Sequence, residues 1–203
     1  MPVTALVHFD QADRILFSTL FSKLHGRSPV NAYKDDFEYR AYRAPASTAE
    51  SAPLAILSFR SDPARVYLTA EGFCTSLDDT FTQILQHYIG PQLTLRSTLK
   101  AEGTTFEFND LTITLLSVSQ RTMFRCLVCA VSCPGTEYTD NASVASLQAR
   151  ITLECSTIFG EHPHIIDPVV ATNPELPYPW PESHVLVELA QRYADILHKA
   201  NQK

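Results

Sequence analysis

The chain has 203 residues, 45% of them hydrophobic, and a formal net charge of −6 at pH 7. That length and apolar content support one large domain, or one domain with appendages, around a sizeable core. Residues 134–203 hold nine acids and four bases, and residues 1–133 thirteen and twelve; without the basic stripe that phosphate neutralisation demands, direct nucleic-acid binding is not expected.

No apolar run approaches the roughly 20 residues of a membrane span. The opening MPVTALVHFD lacks the basic start and apolar stretch of a signal peptide. The expectation is a soluble intracellular chain that does not engage membranes. Five cysteines, an odd set with no framework of loops between them, read as reduced thiols. Asn141-Ala142-Ser143 matches a glycosylation acceptor, which in an intracellular chain is accidental.

In chain order, residues 3–9 read as a strand. Asp10, with Asp13 three residues on, marks the cap of a helix whose Phe17, Leu20, Phe21 and Leu24 share a stripe, and Gly26 stops it. Residues 34–43 alternate Phe37, Tyr39 and Ala41 against Glu38, Arg40 and Tyr42, the pattern of a half-buried strand, and 44–53 form a polar, Pro-bounded loop. Residues 54–59 and 65–69 flank Ser61-Asp62-Pro63 and pair as a hairpin. Ser76 caps the next helix, with Asp78 and Asp79 at its positive end and Leu77, Phe81, Ile84, Leu85 and Tyr88 on one face; Gly90-Pro91 ends it. Leu93, Leu95 and Leu99 then alternate with Thr94, Arg96 and Lys100 as a strand.

That strand leads into the stretch that organises the rest, residues 103–131, GTTFEFNDLTITLLSVSQRTMFRCLVCAV. Phe106 and Phe108 point one way and Thr105 and Glu107 the other; Asn109-Asp110 turns the chain, and Leu111, Ile113 and Leu115 alternate with Thr112 and Thr114. After Gln120-Arg121-Thr122, residues 124–131 are apolar on both faces, as a strand covered on both sides must be. Val144, Leu147, Ile151, Cys155 and Ile158 then recur at helical spacing up to Gly160. Six prolines between 161 and 181 imply an extended arm, and residues 182–201, with Leu186, Leu189, Tyr193 and Leu197 on one stripe, a last helix.

The organisation expected is a domain over 1–160, a Pro-rich arm over 161–181, and a C-terminal helix, 182–203, that docks on this domain or on a partner. Many strands joined in sequence, with helices between and after them, predict an α+β protein: a mostly antiparallel β-barrel with helices packed outside, an open two-layer sandwich being the alternative.

Candidate chemistry is sparse. All six glycines sit at the ends of predicted elements, leaving none for a phosphate-cradling loop. Cys126 and Cys129 fall on opposite faces of a strand, and Cys129 and Cys133 lie about 13 Å apart along it, too far to share a metal. His162-Pro163-His164 reads as a solvated loop rather than a ligand pair. A barrel enclosing acids could be a metal-dependent phosphohydrolase, but the only carboxylates at i and i+2 on a strand are Asp36 and Glu38, facing away from Phe37 and Tyr39, and Glu107 stands alone. No catalytic, metal or cofactor residue is assigned. Leu95, Leu115 and Leu127, apolar strand positions, are the candidate partner-binding residues. A hollow barrel carrying a small molecule is a third possibility.

The strand MPVTALVHFD, the strand DDFEYRAYR, the core EGTTFEFNDLTITLLSVSQRTMFRCLVCAV and the helix LVELAQRYADILHKA occur in the order found in subunit 20 of the Mediator complex, and the chain resembles that family over most of its length. The resemblance implies a β-barrel with flanking helices, similar in architecture to RNA triphosphatase tunnels but without their active site. It further implies a nuclear, non-enzymatic role supporting RNA polymerase II transcription and a heterodimer with Mediator subunit 18. Subunit 8 would tether that pair to the head module, with contacts to TATA-binding protein and the polymerase. The diverged loops at 26–33 and 44–53 and the long arm leave open which segments touch partners.

Overall fold

The computed structural model describes residues 3–9, 12–43, 54–70, 73–85, 87, 92–133, 141–160, 164–169 and 182–202, and these form nine strands and four helices. They are β1 (Val3–Phe9), α1 (Arg14–Gly26), β2 (Asn31–Arg43), β3 (Leu54–Phe59), β4 (Arg65–Ala70), β5 (Phe73–Asp78), α2 (Phe81–Ile84), β6 (Thr94–Glu107), β7 (Thr112–Gln120), β8 (Met123–Cys133), α3 (Asn141–Phe159), β9 (His164–Val169) and α4 (Glu182–Gln202). One sheet holds all the strands in the order β5-β4-β3-β2-β6-β7-β8-β1-β9, and every neighbouring pair is antiparallel. The class is α+β, as expected.

Period-2 alternation gives the sheet two apolar faces, each with its own cover. On one, Leu6, Phe37, Tyr39, Leu57, Tyr67, Leu99, Leu116 and Val128 pack with Ala190, Tyr193, Ala194 and Leu197 of α4. On the other, Val7, Phe106, Ile113, Leu115, Leu127 and Cys129 pack with Leu20 and Leu24 of α1 and Ile151 and Cys155 of α3. A smaller cluster of Tyr42, Ile56, Val66 and Leu85 sits toward the β3–β4 end. Asp13 caps α1, its side chain accepting the Leu16 N–H at 2.7 Å, and the Phe108 N–H donates to the Leu111 carbonyl at 2.8 Å to close the β6–β7 turn. Gly103 lets β6 approach β7: a Cβ there would overlap the Leu115 carbonyl oxygen.

The backbone of α4 lies against β3, β4 and β5 on one side and β1, β8 and β9 on the other, whereas the middle strands β2, β6 and β7 reach it through side chains. A helix laid over a flat sheet would meet the middle strands first, so this sheet curls around α4. The ladder is open, with β5 and β9 as its ends. Helices therefore flank the convex face, α1 and α3, but the last helix occupies the concave one, contrary to the expectation that all pack outside. Ala190, Ala194 and Ala200 are buried along it; small side chains let a helix enter a space that curvature narrows.

Three local expectations are corrected. Residues 76–78, read as a helix start, belong to β5, where Leu77 pairs with Val66 and Asp78 with Arg65; Asp78 still acts as a turn residue, accepting the Thr80 N–H at 3.0 Å. The helix is shortened to α2, and 86 and 88–91 lie outside the described residues. Part of the expected arm, 164–169, is the end strand β9, whose register against β1 breaks between Thr4 and Leu6, beside Pro168, the residue that cannot donate to a ladder. The 44–53 loop lies outside the described residues, as do Asp10, His162 and Pro163.

Candidate functional site

A curled sheet of this kind offers its concave face as the natural site, and here that face is filled by the chain itself. Tyr193 of α4 lies with its ring centroid 4.9 Å from Phe37 and 5.8 Å from Phe59, and Phe59 is 5.4 Å from Tyr67. Burial pushes the Tyr193 phenol far above its ordinary value. Between Leu186 and Asn201 six residues are buried and only Asp195 and Lys199 are exposed, so the apolar stripe of the helix lies against the sheet while Glu188 and Arg192 keep partial access to solvent. The Tyr39 phenol is raised to about 12 by burial, with the Asp195 carboxylate adding to it.

Polar groups gather on the same face beyond this aromatic cluster. Asp35, in step with Phe37 and Tyr39 along β2, accepts a hydrogen bond from Thr105 Oγ1 at 3.3 Å, and Thr105 and Thr114 share one of 2.8 Å. Burial raises the Asp35 carboxyl above its ordinary value, opposed by the Asp36 N–H and the Thr105 hydroxyl. Glu107, on the same face, accepts from Asn31 Nδ2 at 3.3 Å. Among the described residues no three of His, Cys, Asp and Glu are grouped so as to hold a metal ion. Asp35 has no second carboxylate two residues along β2 to mark it in the sequence; the parity it shares with Phe37 was the available signal.

The pair that did satisfy that spacing lies on the convex side, where each acid meets an arginine. Asp36 is 2.9 Å from Arg60 and Glu38 2.7 Å from Arg40. The cysteines divide as alternation requires: Cys126 faces the α4 side, and Cys129 and Cys133 face α3 with Cys155. Burial raises the Cys155 thiol to about 12 and Cys129 well above its ordinary value, which keeps both protonated and poor as ligands.

The candidate partner-binding residues separate. Leu115 and Leu127 are 0% exposed beneath α1 and α3, so neither can meet a partner while those helices are in place; only Leu95, 50% exposed, offers surface. A two-sided strand looks the same in sequence whether its cover comes from another chain or from its own helices. Residues that sequence reading overlooked include Ile15 on α1 and Met123 at the β7–β8 turn, both exposed. No described helix is long and apolar enough to cross a membrane.

No protein-family model matches this chain, and neither does any curated protein. Among solved structures it is similar to a chain of the Schizosaccharomyces pombe Mediator head module, at 11% identity and a TM-score of 0.48, over 81% of this chain and 99% of that one. It is also similar to a conserved hypothetical protein from Pyrococcus furiosus, at 12% identity and 0.45, over 77% and 90%. A putative adenylate cyclase from Vibrio parahaemolyticus matches at 11% and 0.43, over 85% and 96%. At these identities and TM-scores the likenesses assign neither family nor function.

Proposed function

We propose that this chain is a non-catalytic interaction subunit that works through its outer surface, in the manner of Mediator subunit 20. The observation that carries the reading is the concave face occupied by α4, where Tyr193, Phe37 and Phe59 stand in the space a substrate would need. The ordered set of sequence segments that resembles subunit 20 supports the particular assignment. On it, the chain pairs with Mediator subunit 18, is tethered through subunit 8, acts in the nucleus, and supports contacts with TATA-binding protein and RNA polymerase II.

A second reading, a divergent tunnel-type metal-dependent phosphohydrolase, has the inward Asp35 and Glu107 in its favour. Co-expression with subunit 18, followed by size exclusion with light scattering, tests the first. A stable 1:1 complex is expected, burying more than about 1,200 Å² in total; a chain that stays monomeric beside subunit 18 contradicts it. Release of phosphate from a triphosphate, dependent on added metal and lost in Asp35→Asn, establishes the second reading instead.

A further inference from the structure

We infer that the corner made by the first turn of α1 and the β7–β8 turn binds an acidic peptide segment of a partner protein. The inference rests on the interaction-subunit reading and names the chemistry of one partner. A pocket of about 410 Å³ opens there, lined among others by Arg14, Phe17, Glu102, Ser117 and Arg121, within the size range of ligand sites.

The two guanidinium groups are held in different ways. Arg14 Nη2 donates to the Thr122 carbonyl at 3.1 Å, which ties α1 to the turn and leaves the rest of its donor fork for another acceptor. Arg121 has no carboxylate within ion-pair distance among the described residues. Its backbone is left-handed, with φ +56°, and it is the first of two residues between the paired Gln120 and Met123. That is a position ordinarily given to glycine in a two-residue hairpin turn. An arginine kept there against its backbone preference, at a pocket and without an ion-pair partner among the described residues, has the strain expected of a functional position.

Charge selects the ligand. Two guanidinium groups against the Glu102 carboxylate leave an excess of one positive charge, which one carboxylate balances through charge-assisted hydrogen bonds, with the Ser117 hydroxyl as a further donor. A phosphate dianion would place surplus negative charge beside Glu102. The lining also holds the half-buried ring of Phe17, which gives the pocket an apolar wall beside its charges. Carboxylates interspersed with aliphatic side chains match that surface, and complementary charge of this kind sets partner choice.

The test is fluorescence anisotropy of the full chain with a fluorescein-labelled peptide of alternating aspartate and leucine. Binding that weakens with salt, falls at least about fivefold in Arg121→Gly, and tightens in Glu102→Gln is expected. Arg121→Gly relieves the backbone, so its melting temperature stays at or above wild type and loss of binding in it cannot be loss of fold. Absence of salt-sensitive binding, or equal binding by wild type and Arg121→Gly, overturns the site. Tighter binding of a phosphoserine peptide overturns the carboxylate assignment. A wild-type chain that binds the peptide yet fails to pair with subunit 18 supports this site and counts against the pairing.

Discussion

Replacing Tyr193 by alanine should remove the side chain that locks α4 into the curled sheet. The ring is 4% exposed and meets both Phe37 and Phe59, so its loss empties a site bounded by a sheet on one side and the helix on the other, neither free to collapse. Large aromatic deletions from such cores cost about 3–5 kcal/mol, and a value of about 4 kcal/mol corresponds to a melting shift of roughly 8–16 °C for a chain of this size. Tyr193→Phe keeps the ring and should shift melting by less than about 3 °C, which separates packing from any role of the hydroxyl. Leu153→Ala, on the exposed side of α3 at 66% exposure, is the control and should be neutral. Differential scanning calorimetry reads all three. A Tyr193→Ala melting temperature within a few degrees of Leu153→Ala would refute the reasoning, because α4 would then not be packed as described.

Gly103→Ala drives a methyl group into the Leu115 carbonyl. Since the obstacle is backbone, the β6–β7 pairing must shift, and a loss of about 3 kcal/mol or more is expected in urea unfolding. Asp35→Asn should stabilise the chain at pH 7. The folded-state carboxyl is raised above its ordinary 3.8 by burial, so wild-type stability falls as pH rises from the unfolded value through the folded one, and the penalty persists above both. The advantage of the variant should therefore shrink as pH drops through the raised folded value toward the ordinary 3.8 and be gone below it, and an advantage independent of pH would contradict this sign. In thiol titration with a disulfide reagent near pH 8, Cys126, Cys129, Cys133 and Cys155, all buried, should react only after denaturation; prompt reaction of any of the four would mean that its face is open.

Much of this architecture could be read from residue order. The alternation of Phe106 with Thr105 and Glu107 placed each on its observed face, and Asp62-Pro63 marked the β3–β4 turn, because a strand's period of two and turn chemistry are local properties. Residues 76–78 misled for the opposite reason. Ser76 and Asp78 are good helix-start residues, yet Val66 and Tyr67 of β4 needed a partner strand, and tertiary pairing overrode the local preference. The stripe of Leu186, Tyr193 and Leu197 announced a packed helix without saying on which side of the sheet it would lie. The alanines at 190, 194 and 200 held that information, as a helix thin enough to be enclosed. The Arg14–Arg121 corner was invisible because its parts lie over a hundred residues apart and only folding brings Arg14 to Thr122.

Native-state hydrogen exchange over residues 190–200 tests the central claim most directly, since amides in a helix enclosed by a sheet open only when the sheet does. Exchange there within about tenfold of the β6–β8 amides is the result the account predicts. Rapid exchange along α4 while β6–β8 remain protected would contradict it, for the concave face would then be open to another occupant.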